Sequence, residues 1–198
     1  MSGTTTQASL FSAPIPAVYE DYLLVINPDI SVTNDINYSK KKAAEVLGTS
    51  VAKHSIPHIS LASFSGNPLK EDLLVNEIRY HIKGRLRSSF IWLEDYGYFP
   101  TSGTIYIKPK PKDYFDAVLR AVYPALAVCS AVNKGRKLVL YKEPHLAIAR
   151  GGNRDKTNKL WDNFKDKKYE NKFIADALTL LRRDSANDLY KVVAEFKL

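Results

Sequence analysis

Cysteine and methionine are almost absent from this sequence. Among its 198 residues there is one cysteine, Cys129, and one methionine, Met1. A single cysteine excludes an internal disulfide and a metal site built from cysteines, and it fits a reducing compartment. No hydrophobic run approaches the length of a membrane span. We therefore expect a soluble, cytoplasmic protein without a membrane partner.

The start of the chain lacks the pattern of a targeting signal. Residues 1–17 are rich in Ser, Thr and Ala and contain two prolines, but no basic stretch is followed by an apolar run. We expect residues 1–18 to form a tail and residues 19–198 to form a single domain. That length suffices for a hydrophobic core, and a hydrophobic content of 45% is ordinary for a globular protein.

Positive charge exceeds negative charge. Lysine and arginine number 29 against 21 aspartates and glutamates, which gives a net charge of +8. A basic surface attracts polyanions through counterion release, but the same composition also describes a well-solvated surface. Residues 40–42, a run of three lysines, are predicted to lie on a solvated helix face. Lys108, Lys110 and Lys112 alternate, and they could contact a polyanion or protect a solvated sheet edge.

Apolar periodicity predicts a mixture of strands and helices. Short apolar runs predict strands at 22–26, 58–64, 89–98, 104–108, 137–141, 145–150, 173–181 and 189–196. Helical spacing and capping residues predict helices at about 34–47, 69–82, 115–126, and from 153 or 155 onward. Pro124 is expected to kink or end the third helix. The polar turn at 182–188 joins the last two strands, which suggests an antiparallel sheet and an α+β fold.

Two segments of the chain resemble each other. In Pro57 to Leu61 and again in Pro144 to Ile148, a proline precedes a histidine, and the histidine opens an apolar strand. Residues i and i+2 of a strand share a face, so His58 points with Ser60, and His145 points with Ala147. A duplicated strand-then-helix unit predicts two lobes related by pseudo-twofold symmetry. The two imidazoles would then meet in one cleft.

Such a pair of imidazoles suits the cleavage of a phosphodiester. One histidine takes a proton from the attacking oxygen, and the other donates a proton to the leaving oxygen. An ordinary imidazole pKa near 6.5 allows both protonation states near neutral pH. A serine hydroxyl and a cation can hold the non-bridging oxygens as charge builds on them. The pattern therefore predicts acid–base chemistry on a phosphate.

The two segments resemble the two H-x-[S/T]-hydrophobic signatures of the two-histidine (2H) phosphoesterases. In pattern they are most similar to the bacterial RNA 2',3'-cyclic phosphodiesterases, also called 2'-5' RNA ligases. A first strand at 22–27, Arg150 after the second signature and a closing strand pair at 173–196 extend the resemblance over most of residues 19–198. It implies an α+β bilobal fold with two pseudo-symmetric antiparallel sheets, outer helices and a central cleft.

The resemblance also implies the roles of individual residues. His58 would donate a proton, His145 would activate water, and Ser60 and Arg150 would bind the phosphate. No metal or nucleotide cofactor would be needed. The substrate would be an RNA end or a small nucleotide with a 2',3'-cyclic phosphate or a related 2'-linked phosphodiester, and hydrolysis would leave a phosphomonoester. Ligation would be the reverse reaction, and a monomer is expected.

Ala147 departs from the second signature, because the family has Ser or Thr there. Loss of one such donor costs a factor of about 10²–10³ in rate, and Arg150, Lys142 or a backbone N–H could replace it. Arg150 is five residues from His145 and lies on the opposite face unless the strand bulges or ends before it. The histidine pair favours an enzyme, whereas Ala147 favours a weakly catalytic protein that binds RNA or a nucleotide.

Other histidines and aromatic residues are further candidates for the same cleft. His81 is predicted to be a surface or boundary residue of a helix, and His54 lies in a loop that could line the cleft. A cluster of aromatic residues could stack against bases or pack in the core. The cluster comprises Trp92, Tyr96, Tyr98 and Phe99. Trp92 is predicted to lie in the core, whereas both alternatives stay open for Tyr98 and Phe99.

Overall fold

The computed structural model of the protein describes residues 19–48, 55–132, 138–151 and 153–198, with the backbone alone at 129–132. The predicted tail, His54 and the side chain of Cys129 lie outside the described residues. The strands are β1 (Glu20–Ile26), β2 (Ile59–Gly66), β3 (Ser89–Phe99), β4 (Thr104–Lys110), β5 (Val139–Leu140), β6 (Leu146–Ala149), β7 (Glu170–Ala175), β8 (Ala177–Arg183) and β9 (Lys191–Lys197). The helices are α1 (Ile30–Leu47), α2 (Glu71–Ile82), α3 (Lys112–Val132) and α4 (Arg154–Asp162), with a 3₁₀ turn at Pro68–Lys70.

The strands form one antiparallel sheet that is symmetric about its centre. Their order is β7-β3-β4-β6-β2-β1-β8-β9, and β5 lies beside β2. One half contains β6, β4, β3 and β7, and the other contains β2, β1, β8 and β9. The halves join where Ile59 pairs with Leu146. The predicted α+β fold with two pseudo-symmetric antiparallel halves is confirmed, and the halves are continuous through this pairing.

Helices cover one face of the sheet and bury it. Helix α1 packs against β6 and helix α3 packs against β2, so each helix covers the central strand of the opposite half. Ile59, Leu61, Leu146 and Ile148 have exposures of 1% or less, as expected for the packing layer behind the histidines. The buried apolar face of each central strand leaves the other face open for the histidines.

Helix α1 begins earlier than the sequence pattern predicts. Asp29, rather than Asn34 or Asp35, is its N-cap, because its Oδ1 accepts a hydrogen bond from the Val32 N–H at 2.9 Å. The helix ends at Leu47, as predicted, where Gly48 adopts a φ of 83°. A left-handed residue after the last turn is the usual place for glycine.

The predicted apolar face of the second helix is partly wrong. Leu69 lies in the 3₁₀ turn and is 91% exposed, and Leu73 is 45% exposed. Helix α2 starts only at Glu71, and its buried face consists of Leu74, Ile78 and Ile82. These three residues follow the i, i+4 spacing of one helix face.

Pro124 lies inside helix α3 and does not end it, contrary to one of the two outcomes predicted. Proline removes one backbone hydrogen bond from a helix. The surrounding residues Val122, Ala125 and Leu126 are fully buried. Burial of this apolar face compensates for the missing hydrogen bond, so the helix continues to Val132.

The single strand predicted at 173–181 is wrong. Strand β7 pairs with β3 in one half of the sheet, and β8 pairs with β1 in the other. Asp176 separates the two strands, and its carbonyl accepts a hydrogen bond from the Leu198 N–H at 2.8 Å. The chain crosses between halves inside an apolar run, where local hydrophobicity gives no sign of a break.

Candidate active site

His58 and His145 immediately precede the two central strands. Ile59 and Leu146, the residues that follow them, are antiparallel partners. Cross-strand partners share a face and side chains alternate along a strand. Both histidines therefore lie on the open face, opposite the buried Ile59 and Leu146. When the register is continued by one residue, Ser60 lies beside His145, and residue 147 lies beside His58.

The two imidazoles are held in the same way. His58 Nδ1 lies 2.7 Å from the carbonyl oxygen of Ile56, and His145 Nδ1 lies 2.9 Å from the carbonyl oxygen of Glu143. A carbonyl can only accept, so each Nδ1 carries the hydrogen and donates it. Each Nε2 is then the ring nitrogen that exchanges a proton with a ligand. The repeated sequence pattern thus produces a repeated tautomer.

The environment lowers the pKa of both imidazoles. Burial is the largest cause for each, and the cations of Lys40, His145 and Arg150 lower the pKa of His58 further. Arg150 also lowers the pKa of His145. The hydrogen bonds to the two carbonyls act in the opposite direction. Both rings are therefore protonated less readily than a free imidazole, and Arg150 is a cation that acts on both of them.

A bulge and the strand end determine where Arg150 lies. Ile105 pairs with Ala149, but Tyr106 pairs with Ala147, so Ile148 is an extra residue in β6. An extra residue shifts the alternation by one. Strand β6 then ends before Arg150, whose charge affects the pKa of both histidines. Arg150 is thus within electrostatic reach of the pair, and Ser60 is half-buried on the same face.

Two aromatic rings pack beside His145. The Phe99 and Tyr106 rings stack at 4.3 Å, and their centroids lie 5.2 Å and 5.6 Å from the imidazole of His145. Tyr106 is also the cross-strand partner of Ala147. The sequence pattern did not decide the place of Phe99 and did not indicate Tyr106, because no local pattern places β4 beside β6. The two rings form one wall of the cleft.

A second bulge separates the roles of Tyr98 and Phe99. The register of β3 against β4 shifts between Glu94 and Tyr96, and Asp95 has a φ of 57°. The shift turns Phe99 to the cleft face. Tyr98 turns to the helix face, where it stacks on Trp161 at 5.5 Å. The structure therefore answers the choice that the sequence left open: Phe99 lines the cleft, and Tyr98 packs against α4.

Lys40 does not lie on a solvated helix face as predicted. It is 2% exposed, and its Nζ donates to the carbonyl oxygen of Ser55 at 2.7 Å and to the Ser55 hydroxyl at 3.2 Å. Burial lowers the pKa of Lys40 to about 8. Val32 and Ile36 lie eight and four residues before it on the buried face of α1. This helical spacing indicates that Lys40 is buried, but the adjacent lysines suggested a solvated helix face.

Other predicted positions lie away from the imidazole pair. Trp92 is 42% exposed, so the prediction that it lies in the core is wrong. Lys108 and Lys110 lie on β4, which is interior to the sheet rather than an edge. His81 lies on α2, with Nε2 3.7 Å from a carboxylate oxygen of Glu77. It is a boundary residue, as predicted.

Metal ligands and membrane spans have no counterpart in the described part of the chain. No group of three or more His, Cys, Asp or Glu side chains that could hold a metal ion occurs among the described residues. Within the same ranges, no helix is long and apolar enough to cross a membrane.

Several solved structures share the fold of this chain. LigT of E. coli, in complex with 3'-AMP, is similar in structure with a TM-score of 0.68 at 14% identity, over 91% of this chain and 98% of LigT. TT0787 of Thermus thermophilus has a TM-score of 0.61 at 17% identity, over 90% of this chain and 97% of its own. A protein described as a phosphoesterase has a TM-score of 0.60 at 13% identity, over 90% and 98% of the two chains. A comparison with curated protein sequences gave no match.

The sequence itself matches a family model. The model describes the 2'-5' RNA ligase superfamily, and it covers residues 33–187, which is more than half of the chain. The matched range includes both histidine segments, all of helix α3 and most of helix α1. The chain therefore belongs to the 2'-5' RNA ligase superfamily of 2H phosphoesterases.

Proposed function

We propose that this protein is a metal-independent phosphodiesterase that opens 2',3'-cyclic phosphates, or related 2'-linked phosphodiesters, of RNA or nucleotides. One observation carries the proposal. His58 and His145 flank the central pairing of the sheet on its open face, and each Nδ1 is fixed by a backbone carbonyl. In this proposal the two Nε2 atoms act on one ligand. This enzyme would act in the cytoplasm as a monomer.

The reaction uses the two Nε2 atoms in opposite protonation states. The neutral Nε2 of His145 accepts a proton from water as the water oxygen forms a bond to phosphorus. The bond from phosphorus to the leaving ribose oxygen breaks, and Nε2–H of protonated His58 donates its proton to that oxygen. The product is a phosphomonoester. Both histidines return to their starting states by proton exchange with solvent.

Substrate charge supplies the protonated acid. The pKa of His58 is lowered in the free protein by burial and by neighbouring cations. A bound phosphodiester places a negative charge beside the imidazole, and an opposite charge favours the protonated ring. Arg150 and the Ser60 hydroxyl bind the non-bridging oxygens in this proposal, as the positive potential of the cleft favours.

The relatives support the choice of ligand. LigT of E. coli has been crystallised in complex with 3'-AMP, with phosphate, with ATP and with NADP+. All four ligands carry phosphate, and three of them are nucleotides. By similarity of fold, a nucleotide or an RNA end is the ligand class that we propose for this cleft.

The test is hydrolysis of nucleoside 2',3'-cyclic monophosphates, and of an RNA ending in a 2',3'-cyclic phosphate, in the presence of EDTA between about pH 5 and 9. We expect a bell-shaped pH dependence of kcat/KM. His58→Ala and His145→Ala should each lower kcat by about 10²–10⁴, the usual contribution of one general acid or base. His81→Ala is the matched control and should act like wild type. Full activity in either cleft variant would refute the mechanism.

A second candidate function rests on Ala147. This residue occupies the place of a hydroxyl donor, and the alternative is a weakly catalytic 2H-fold protein that binds RNA or a nucleotide. Ala147→Ser separates the two candidates. If the missing hydroxyl limits catalysis, the variant should gain up to about 10²–10³ in rate. If wild type binds nucleotide without hydrolysing it, and only the Ala147→Ser variant shows turnover, the binding function is established.

A further inference from the structure

Basic and aromatic side chains continue the open face of the sheet beyond His145. Tyr106 is the cross-strand partner of Ala147, so it lies on the histidine face. Side chains alternate along a strand, and therefore Lys108 and Lys110 of β4 share that face. Lys108 is exposed, and Lys110 is more than half exposed. The face thus runs without a break from the cleft to the end of β4.

The same face extends across β3 to β7. Trp92 is the partner of Lys110 on one side and of Lys172 on the other. One step along, Phe90 pairs with Ile174. Phe90, Trp92 and Ile174 are 45%, 42% and 50% exposed. The alternate residues Ile91, Leu93 and Phe173 are buried on the helix side, so the exposed residues cannot also fill the core.

We call this part of the open face the aromatic strip, which consists of Phe90, Trp92, Lys108, Lys110 and Lys172. The rings of Phe90 and Trp92 are 5.9 Å apart, and Lys172 Nζ lies 5.4 Å from the centre of the Phe90 ring. Glu94 and Glu170 lie on the same face, and Glu94 pairs with Lys110. Three lysines against two glutamates leave a small positive charge in a chain whose net charge is +8.

Aromatic faces beside cations suit one class of ligand. Single-stranded nucleic acids bind by stacking their bases on exposed aromatic rings while lysine or arginine follows the phosphates. Two neighbouring exposed aromatic residues on a sheet whose core is filled elsewhere match that requirement. The modest charge indicates that stacking, rather than phosphate contact, contributes most of the binding.

We propose that the aromatic strip binds a single strand of RNA whose 3' end lies in the cleft. Three strand spacings separate β6 from β7, a distance of about 14 Å. That distance accommodates nucleotides upstream of the reacting end. The proposal rests on the proposed function only for the identity of the end that enters the cleft, because the strip itself takes no part in bond breaking.

Binding, rather than turnover, tests the strip. A fluorescently labelled oligoribonucleotide ending in a 3'-phosphate is titrated with wild type and with the double variant Phe90→Thr/Trp92→Thr. Threonine keeps the strand preference of these exposed positions. We expect the double variant to bind the oligonucleotide about tenfold more weakly or worse, as loss of base stacking predicts. Its affinity for 3'-AMP, which occupies the cleft alone, should be unchanged.

Matched controls separate the strip from a general loss of aromatic residues or charge. Tyr80→Thr removes a 69% exposed aromatic ring from α2 and should bind the oligonucleotide like wild type. Lys108→Gln and Lys172→Gln should each reduce the slope of log affinity against log salt by up to about 0.7. Lys42→Gln removes an exposed lysine of α1 and should leave the slope unchanged.

Three results would overturn the proposal. The first is wild-type affinity of the double variant for the oligonucleotide. The second is an oligonucleotide affinity of wild type no greater than that for 3'-AMP. The third is a wild-type dimer that the double variant abolishes, because the strip would then be a protein interface. The two proposals can fail separately. If wild type shows no turnover but the double variant still binds the oligonucleotide more weakly, the strip is supported and the proposed phosphodiesterase is refuted.

Discussion

At the residue scale, Lys40 distinguishes the two halves of the cleft. It is buried behind His58 and holds Ser55, three residues before that histidine. Helix α3, which takes the place of α1 in the other half, presents the apolar residues Val118 and Val122 on its buried face. The pair of imidazoles is therefore symmetric in tautomer and unequal in electrostatic surroundings.

Lys40 should cost stability at neutral pH. Burial lowers its pKa to about 8 in the folded protein, while the unfolded chain keeps the ordinary value near 10.4. The unfolded state therefore binds more protons between these values, and the free energy of unfolding should rise across them by about 3 kcal/mol. Chemical denaturation of wild type between about pH 7 and 10.5 measures this rise.

Lys40→Met should remove that pH dependence and raise stability at pH 7 by about 1–3 kcal/mol, since an apolar side chain replaces a desolvated charge. The pKa of His58 should also rise, because a nearby cation is lost, and an NMR titration of the imidazole would show it. Lys42→Met, at an exposed position of the same helix, is the control. An unchanged His58 titration would show that Lys40 does not act on the imidazole.

At the element scale, two bulges decide which side chains face the cleft. The bulge at Asp95 turns Gly97 and Phe99 to that face, and the Tyr106 ring lies directly over Gly97. A Cβ added to Gly97 would lie 2.4 Å from Cζ of Tyr106. Glycine at this position therefore allows the aromatic wall beside His145 to form.

Gly97→Ala should displace the Tyr106 ring and cost about 1–3 kcal/mol of stability, the usual range for an overpacked site. The displaced ring also leaves Phe99 and His145, so the cleft should bind 3'-AMP more weakly. Tyr106→Ala in the Gly97→Ala background removes the clash. The loss of stability in the double variant should therefore be smaller than the sum of the losses in the two single variants. Thermal unfolding of the four proteins completes this cycle, and strict additivity would contradict the contact.

The elements also show how far sequence reasoning reached. The two histidine strands and their buried layer were predictable, because both depend on local alternation. The bulges at Asp95 and Ile148 were not, because each is a property of pairing with a distant strand. Consequently the places of Phe99 and Arg150 needed the structure. Lys40 shows a different limit: helical spacing marked it as buried, while two neighbouring lysines marked it as solvated.

At the scale of the whole molecule, the buried histidines should link stability to pH and to anions. The pKa values of His58 and His145 are lowered in the folded protein. The unfolded state therefore binds more protons as the pH falls through about 6.5, and the free energy of unfolding should fall from about pH 7 to pH 5. A bound anion favours protonated imidazole and should oppose this fall.

Sulfate provides the test, since it keeps its charge over this pH range. We expect sulfate to raise the Tm of wild type more at about pH 5.5 than at pH 7.5. The double variant His58→Ala/His145→Ala should keep only the general effect of sulfate on folded proteins, which acts by exclusion from the surface. Equal pH dependence in the two proteins would place the anion effect outside the cleft.

The order of strands along the chain has a consequence for how this molecule arose. The first repeat runs β1-α1-β2-α2-β3, and the second runs β4-α3-β6-α4 followed by β7 and β8. However, β3 of the first repeat pairs with β4 of the second, and β8 of the second pairs with β1 of the first. Each repeat thus places its last strand in the other's half, as in a domain-swapped dimer. In the mechanism proposed above, a half-length chain with one histidine would lack either the acid or the base. Under that mechanism, two identical copies that meet on a dyad would supply both.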